Sequence, residues 1–231
     1  MKLLNTFSTS SVMSVLILGI CLITTFAAAF SRLTYEPGEH YEECHNNIRN
    51  WTVEYGQCFE PMFTEEALNE TSRLHNVTNC LRCIHVCRMQ TGMLRCANEG
   101  STKIKEASNK SRIMVPFFLK LFEDILSGLC DENGILSAHN GDDKDCFRKT
   151  WVECVDHIDF IDHLDMVFFC DSANEEKDPF TKQYVCLRLW DFHECMQRQI
   201  KNCYPELMSA QELLGNKIRN SDSCIKYLNI P

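Results

Sequence analysis

Apolar residues recur every three or four positions along most of this chain, which is the spacing of one face of an α-helix. Cys44, Ile48, Trp51 and Tyr55 share such a stripe, and Gly56 is the expected stop. A second stripe, Val77, Cys80, Ile84 and Cys87, predicts a helix from near Leu74 toward Cys96, with Gly92 weakening its end. Residues 98–102 and 108–111 are polar and read as loops. Pro116 is then expected to open a strongly apolar helix, because proline suits a first helical position. Phe117, Phe118, Leu121, Phe122, Ile125, Leu126 and Leu129 cover most of its circumference, so it is expected at the core.

After turn-rich residues 130–134 and 140–145, helical spacing resumes. Phe147, Trp151, Cys154, Ile158, Ile161 and Phe168 carry it through to Cys170. Residues 172–178 form a polar link. Asp178-Pro179 reads as a cap and first turn for a helix running to about Cys203, ahead of Pro205. Ser209-Ala-Gln-Glu212 is a capping box before Leu213 and Leu214, opening a last short helix toward Cys224. No segment alternates cleanly with a period of two, and no internal repeat is visible. The expected fold is all-α, a bundle of about five to six helices.

The N-terminus changes the picture. A single Lys2 precedes an apolar run from Val12 to Ala29 that ends in three alanines, the pattern of a secretory signal with cleavage after Ala29. Residues 1–29 are read as that signal, and residues 30–231 as one domain. No later stretch is apolar for long enough to span a bilayer, so stable membrane insertion is not expected after cleavage.

Export in turn gives meaning to the cysteines. Of 15, Cys21 leaves with the signal. The other fourteen are Cys44, Cys58, Cys80, Cys83, Cys87, Cys96, Cys130, Cys146, Cys154, Cys170, Cys186, Cys195, Cys203 and Cys224. In an oxidising compartment they predict up to seven disulfides, the staples of the bundle, with the pairing open. One pair is excluded: on a shared helix Cys195 and Cys203 would stand about 12 Å apart, beyond the roughly 7 Å a disulfide allows. Four glycosylation sequons, at Asn50, Asn69, Asn76 and Asn109, fit the same secreted, extracellular address. All lie in the N-terminal half, which is therefore expected to be the more exposed.

With 23 Lys+Arg against 32 Asp+Glu, the chain carries a net charge of −9, which argues against nucleic acid as a partner. Candidate chemistry is sparse. Cys80-Leu-Arg-Cys83-Ile-His85-Val-Cys87 could hold zinc or exchange disulfides, although three cysteines on one helical face suit stapling better. Asp156-His157-Ile-Asp159-Phe-Ile-Asp162-His163-Leu-Asp165 places carboxylates beside imidazoles. On an α-helix Asp159 and His163 would share a face and are the candidate metal ligands. The segment matches neither the zinc-protease nor the calcium-loop pattern, and the alternative is a solvated acidic face. The stripe of Phe117, Phe118 and Phe122, with Phe168 and Phe169, could line a lipid pocket or simply form core. No serine-hydrolase elbow and no phospholipase-type His-Asp core is present, so no catalytic residue and no cofactor is assigned.

A stretch of the C-terminal half resembles a known family. Its residues are Phe117-Phe-Leu-Lys-Leu-Phe through Cys130-Asp-Glu-Asn-Gly134, Asp145-Cys146-Phe, Trp151-Val-Glu-Cys154, and Cys186-x8-Cys195-x7-Cys203 followed by Cys224. From Phe117 to Cys224 the spacing resembles the insect haemolymph glycoproteins of about 27 kDa, and some nematode and tick secreted proteins look similar there. The resemblance implies a circulating, helical glycoprotein of unassigned activity and brings no catalytic residues. The expected role is non-enzymatic binding of a small apolar ligand or an extracellular protein. The alternatives are a metal-assisted secreted hydrolase using residues 156–165, and a defence or inhibitory factor.

Overall fold

A computed structural model describes residues 35–75, 81–134, 144–163, 168–201 and 208–228, and the fold over these residues is all-α. The expected signal segment, residues 1–29, and Asn76, Cys80, Asp165 and Cys203 lie outside the described residues. Seven α-helices exceed ten residues: α1 Tyr41–Phe59, α2 Glu65–His75, α3 Leu81–Ile104, α4 Asn109–Gly134, α5 Lys144–Cys154, α6 Lys182–Ile200 and α7 Met208–Asn220. A four-residue α8, Ile225–Leu228, follows. Short 3-10 segments cover Glu60–Phe63, Val155–His163 and Glu175–Lys177.

α4 is the central helix, as its apolar sequence predicts. Its first half contributes Met114, Phe117 and Leu121 to a cluster with Ile158, Phe160, Phe168, Phe180 and Val185. Its second half contributes Leu126 and Leu129 to a separate cluster with Phe59, Val86 and Met93. One helix therefore bridges α1 and α3 on one side and α6 with the 3-10 segment on the other. Its burial is not complete all round, since Ile113 and Pro116 are exposed.

Among the described residues five disulfides tie these elements together: Cys44–Cys170, Cys58–Cys96, Cys87–Cys130, Cys154–Cys195 and Cys186–Cys224. Cys195 bonds to Cys154, in line with the exclusion of Cys203. The loops closed by four of them span 38 to 43 residues, and the fifth spans 126. The side chains of Cys83 and Cys146 lie outside the described set.

Several boundaries differ from the sequence expectation, each for a physical reason. Gly56 does not stop α1, which continues to Phe59, where Phe59 packs into the second cluster. Residues 98–102 are helical, because Gly100 lets α3 cross α1 closely: a Cβ there would fall 2.5 Å from the Tyr55 ring. Helix α2, Glu65–His75, is a separate element with no counterpart in the apolar stripes. α4 starts at Asn109 rather than Pro116. Ser108 and Ser111 cap it reciprocally, backbone N–H to hydroxyl, at 3.0 Å each. The Asp171 carboxylate also accepts from the N–H groups of Lys110 (2.7 Å) and Asn109 (3.3 Å). Pro116 then sits exposed inside the helix.

The expected helix from 147 toward 170 breaks after Cys154. A 3-10 segment follows, with Ile158 at φ −119° and ψ 23°, outside helical geometry. α6 begins at Lys182, capped by Thr181, whose hydroxyl accepts from the Tyr184 N–H. Asp178 serves elsewhere, as described below. α7 begins at Met208, one residue before the expected cap, and ends at Asn220, short of Cys224.

Candidate functional site

His85 sits in the thiol-rich stretch of α3 and is fully buried. Its Nε2 lies 2.6 Å from the Met62 carbonyl, which can only accept, so Nε2 carries the proton. Nδ1, 2.7 Å from the Thr71 hydroxyl, then accepts from it. Arg88 donates to the same hydroxyl oxygen (2.9 Å) and pairs with Glu70 at 2.9 Å. This chain joins α2, α3 and the turn at Met62. Burial holds the imidazole below its ordinary pKa of 6.5. His85 is a satisfied structural histidine, and Cys87 is committed to Cys130. The zinc or redox reading keeps only Cys80 and the Cys83 side chain, both outside the described set.

The Asp/His segment does not keep the geometry expected of it. Residues 155–163 form a 3-10 helix, so a four-residue spacing does not align two side chains as it would on an α-helix. The metal candidates Asp159 and His163, and Asp162, have side chains outside the described set. Asp156 is exposed, and its carbonyl accepts from Arg188. Ile158 and Phe160 point into the first cluster. Among the described residues no three metal-ligating side chains converge.

The phenylalanine stripe forms core. Phe118 meets Phe117, Phe168 and Phe169 edge-on, at centroid distances of 5.4, 5.5 and 5.6 Å. Phe168 meets Phe160 and Phe180 at 5.6 and 5.2 Å. These are the separations at which aromatic rings attract one another.

Two polar constellations were not anticipated. At the start of α4, Lys110 forms a buried ion pair with Asp178, the side chains being 12% and 8% exposed. The ammonium faces the rings of both Tyr35 (5.5 Å) and Phe180 (5.9 Å). Tyr35 donates toward the Cys170 and Asp171 carbonyls (3.2 and 3.0 Å), and Asp178 accepts from the Phe180 N–H. Burial pushes the Lys110 pKa down and the Tyr35 pKa up. The arrangement clamps the N-terminal segment to α4 and to the chain around Cys170. Two residues 68 positions apart make the ion pair, so no local pattern announces it.

The second is an open polar cleft of about 370 Å³ between α4 and α7, lined by Asp124, Ser127, Leu213, Asn216, Lys217 and neighbouring residues. Asp124 places Oδ1 3.0 Å from Lys120, and its Oδ2 is buried without a hydrogen-bond partner. No family model, no curated protein and no solved structure matches the chain.

The sequon asparagines have a clearer geometry. Asn50 on α1, Asn69 on α2 and Asn109 at the start of α4 are all exposed. Asn76 lies outside the described residues.

Proposed function

We propose that the chain is a secreted glycoprotein of an extracellular fluid that works through its outer surface, recognising another protein, and performs no catalysis. The observation that carries this reading is the packed aromatic interior around Phe118 and Phe168, which favours surface recognition over carriage of an apolar ligand. The five disulfides support an oxidising compartment. No helix of the described residues is long and apolar enough to cross a membrane. Exposed Asn50, Asn69 and Asn109 leave room for glycans, and the resemblance of residues 117–224 to circulating haemolymph glycoproteins points the same way. Val53, Leu74, Ile113 and Val152, each more than half exposed, are candidate apolar anchors for a partner.

Expression in a secreting eukaryotic cell tests this reading. The expected product is a medium-borne chain beginning at Phe30, with glycans removable by amidase and all fourteen thiols unreactive. Native mass spectrometry should find it without fatty acid or sterol. Retention in the cytosol with free thiols would refute the address. Stoichiometric lipid would replace surface recognition by carriage.

A further inference from the structure

Each described sequon presents its two halves to opposite environments. Asparagine and hydroxyl residue are two apart, and on a helix such positions face away from each other. Asn50, Asn69 and Asn109 are exposed. Their partners are not. Thr71 is 0% exposed, and its oxygen sits in the network of His85, Arg88 and the Ala67 carbonyl, at 2.7, 2.9 and 3.1 Å. Ser111 is also 0% exposed. It accepts from the Ser108 N–H (3.0 Å) and turns its hydrogen toward the carbonyls of Ser108 (2.8 Å) and Lys105 (3.2 Å). Thr52 is half-buried and donates to the Ile48 carbonyl at 2.9 Å.

A glycosyltransferase that recognises this motif must engage the asparagine amide and the hydroxyl together. We infer that glycan transfer to Asn69 and Asn109 takes place only before α2 and α4 form, and that folding then seals both sites against modification. In the transfer, the asparagine Nδ2 forms a bond to the anomeric carbon of a lipid-diphosphate-linked oligosaccharide. The bond from that carbon to the diphosphate breaks, the lipid diphosphate leaves, and the amide nitrogen gives up a proton. Once attached, the glycan is compatible with the fold, because each asparagine remains at the surface. The hydroxyls of Thr71 and Ser111 thus serve twice, first as part of the motif and then as internal hydrogen-bonding groups. Sites that must be modified before folding compete with it, so fast closure of the helices lowers their occupancy.

This inference rests on the secreted-glycoprotein reading, and its test separates the two. The chain from Phe30 is made without glycans in bacteria and offered to a purified endoplasmic-reticulum oligosaccharyltransferase with a lipid-diphosphate chitooligosaccharide. One arm uses the refolded, oxidised protein and the other the chain unfolded by reduction and alkylation. Glycopeptide mass spectrometry reads each site. The unfolded arm is expected to be modified at Asn69 and Asn109, and the folded arm at neither. Modification of both arms alike overturns the order inferred here and leaves the glycoprotein reading standing. Modification of neither arm overturns both. In secreting cells, a membrane-permeant reductant that delays folding should raise occupancy at Asn69 and Asn109. An unchanged or lower occupancy would count against competition between folding and transfer.

Discussion

The junction of α2 with α3 and the junction of α6 with α7 each bury a histidine, and they hold it in different ways. His85 has a partner on both ring nitrogens. His193 on α6 is 4% exposed, and its Nδ1 has no hydrogen-bond partner. Its ring lies against the bare backbone of Gly215 on α7, where an added Cβ would come within 2.2 Å of Nε2. Trp190 covers another side, with ring centroids 5.2 Å apart. The first histidine is fixed by directed bonds and the second by shape. A buried imidazole is therefore not in itself a sign of chemistry: both are accounted for by the helices they join.

The contrast can be broken most forcefully on the shape side. Gly215→Ala should lower stability by about 3 kcal/mol, the upper end for overpacking, since neither the α7 backbone nor the buried ring has room to move. Urea denaturation of the refolded, unglycosylated chain checks it, and a loss below half of that would show that the interface yields. Thr71→Val keeps volume but strands His85 Nδ1. A loss of about 1–2 kcal/mol is expected from an unsatisfied buried acceptor. The same assay in unglycosylated protein avoids confusion with loss of the sequon.

Acid sharpens the comparison. Burial holds both imidazoles below their ordinary pKa of 6.5. The unfolded chain therefore binds these protons first. The stability they confer is full above about pH 6.5 and is lost as pH falls through the lowered folded values. The two sites should not contribute equally. When His85 is charged, its Nδ1–H can donate to the Thr71 oxygen while that hydroxyl turns to the Ala67 carbonyl. No such partner stands at the His193 Nδ1, and the Glu194 charge favours the protonated ring there. His193→Gln should flatten the fall in melting temperature between about pH 7.5 and 5. An unaltered slope would place the acid sensitivity elsewhere. The smallest effect belongs to the half-exposed end of the His85 chain, where Glu70→Gln should cost only about 0.2–1 kcal/mol, as surface ion pairs do.

The all-helical fold and the central position of Phe117 to Leu129 could be read from apolar spacing, because a helix apolar on most sides has to be buried. The boundaries could not. The start of α4 depends on Asp171, some 60 residues away, and the continuation of α3 through residues 98–102 depends on Gly100 meeting the Tyr55 ring. The break at Ile158 was invisible because 3-10 and α-helical segments share a three-residue apolar spacing. At the sites, the sequons were legible as motifs. That Thr71 and Ser111 are internal was not, since short polar residues ordinarily signal surface and turns. Lys110 and Asp178 likewise look like two ordinary surface charges until the chain brings them together.

Cys44 has a consequence for synthesis. Its partner, Cys170, lies 126 residues further along, so a ribosome adding about 5–20 residues per second needs roughly 6–25 s to supply it. Cys58, Cys80, Cys83, Cys87, Cys96, Cys130, Cys146 and Cys154 all emerge within that interval. Cys44 must therefore pass over eight nearer mates, which makes its correct closure a natural task for an isomerase and the step at which scrambled forms would accumulate.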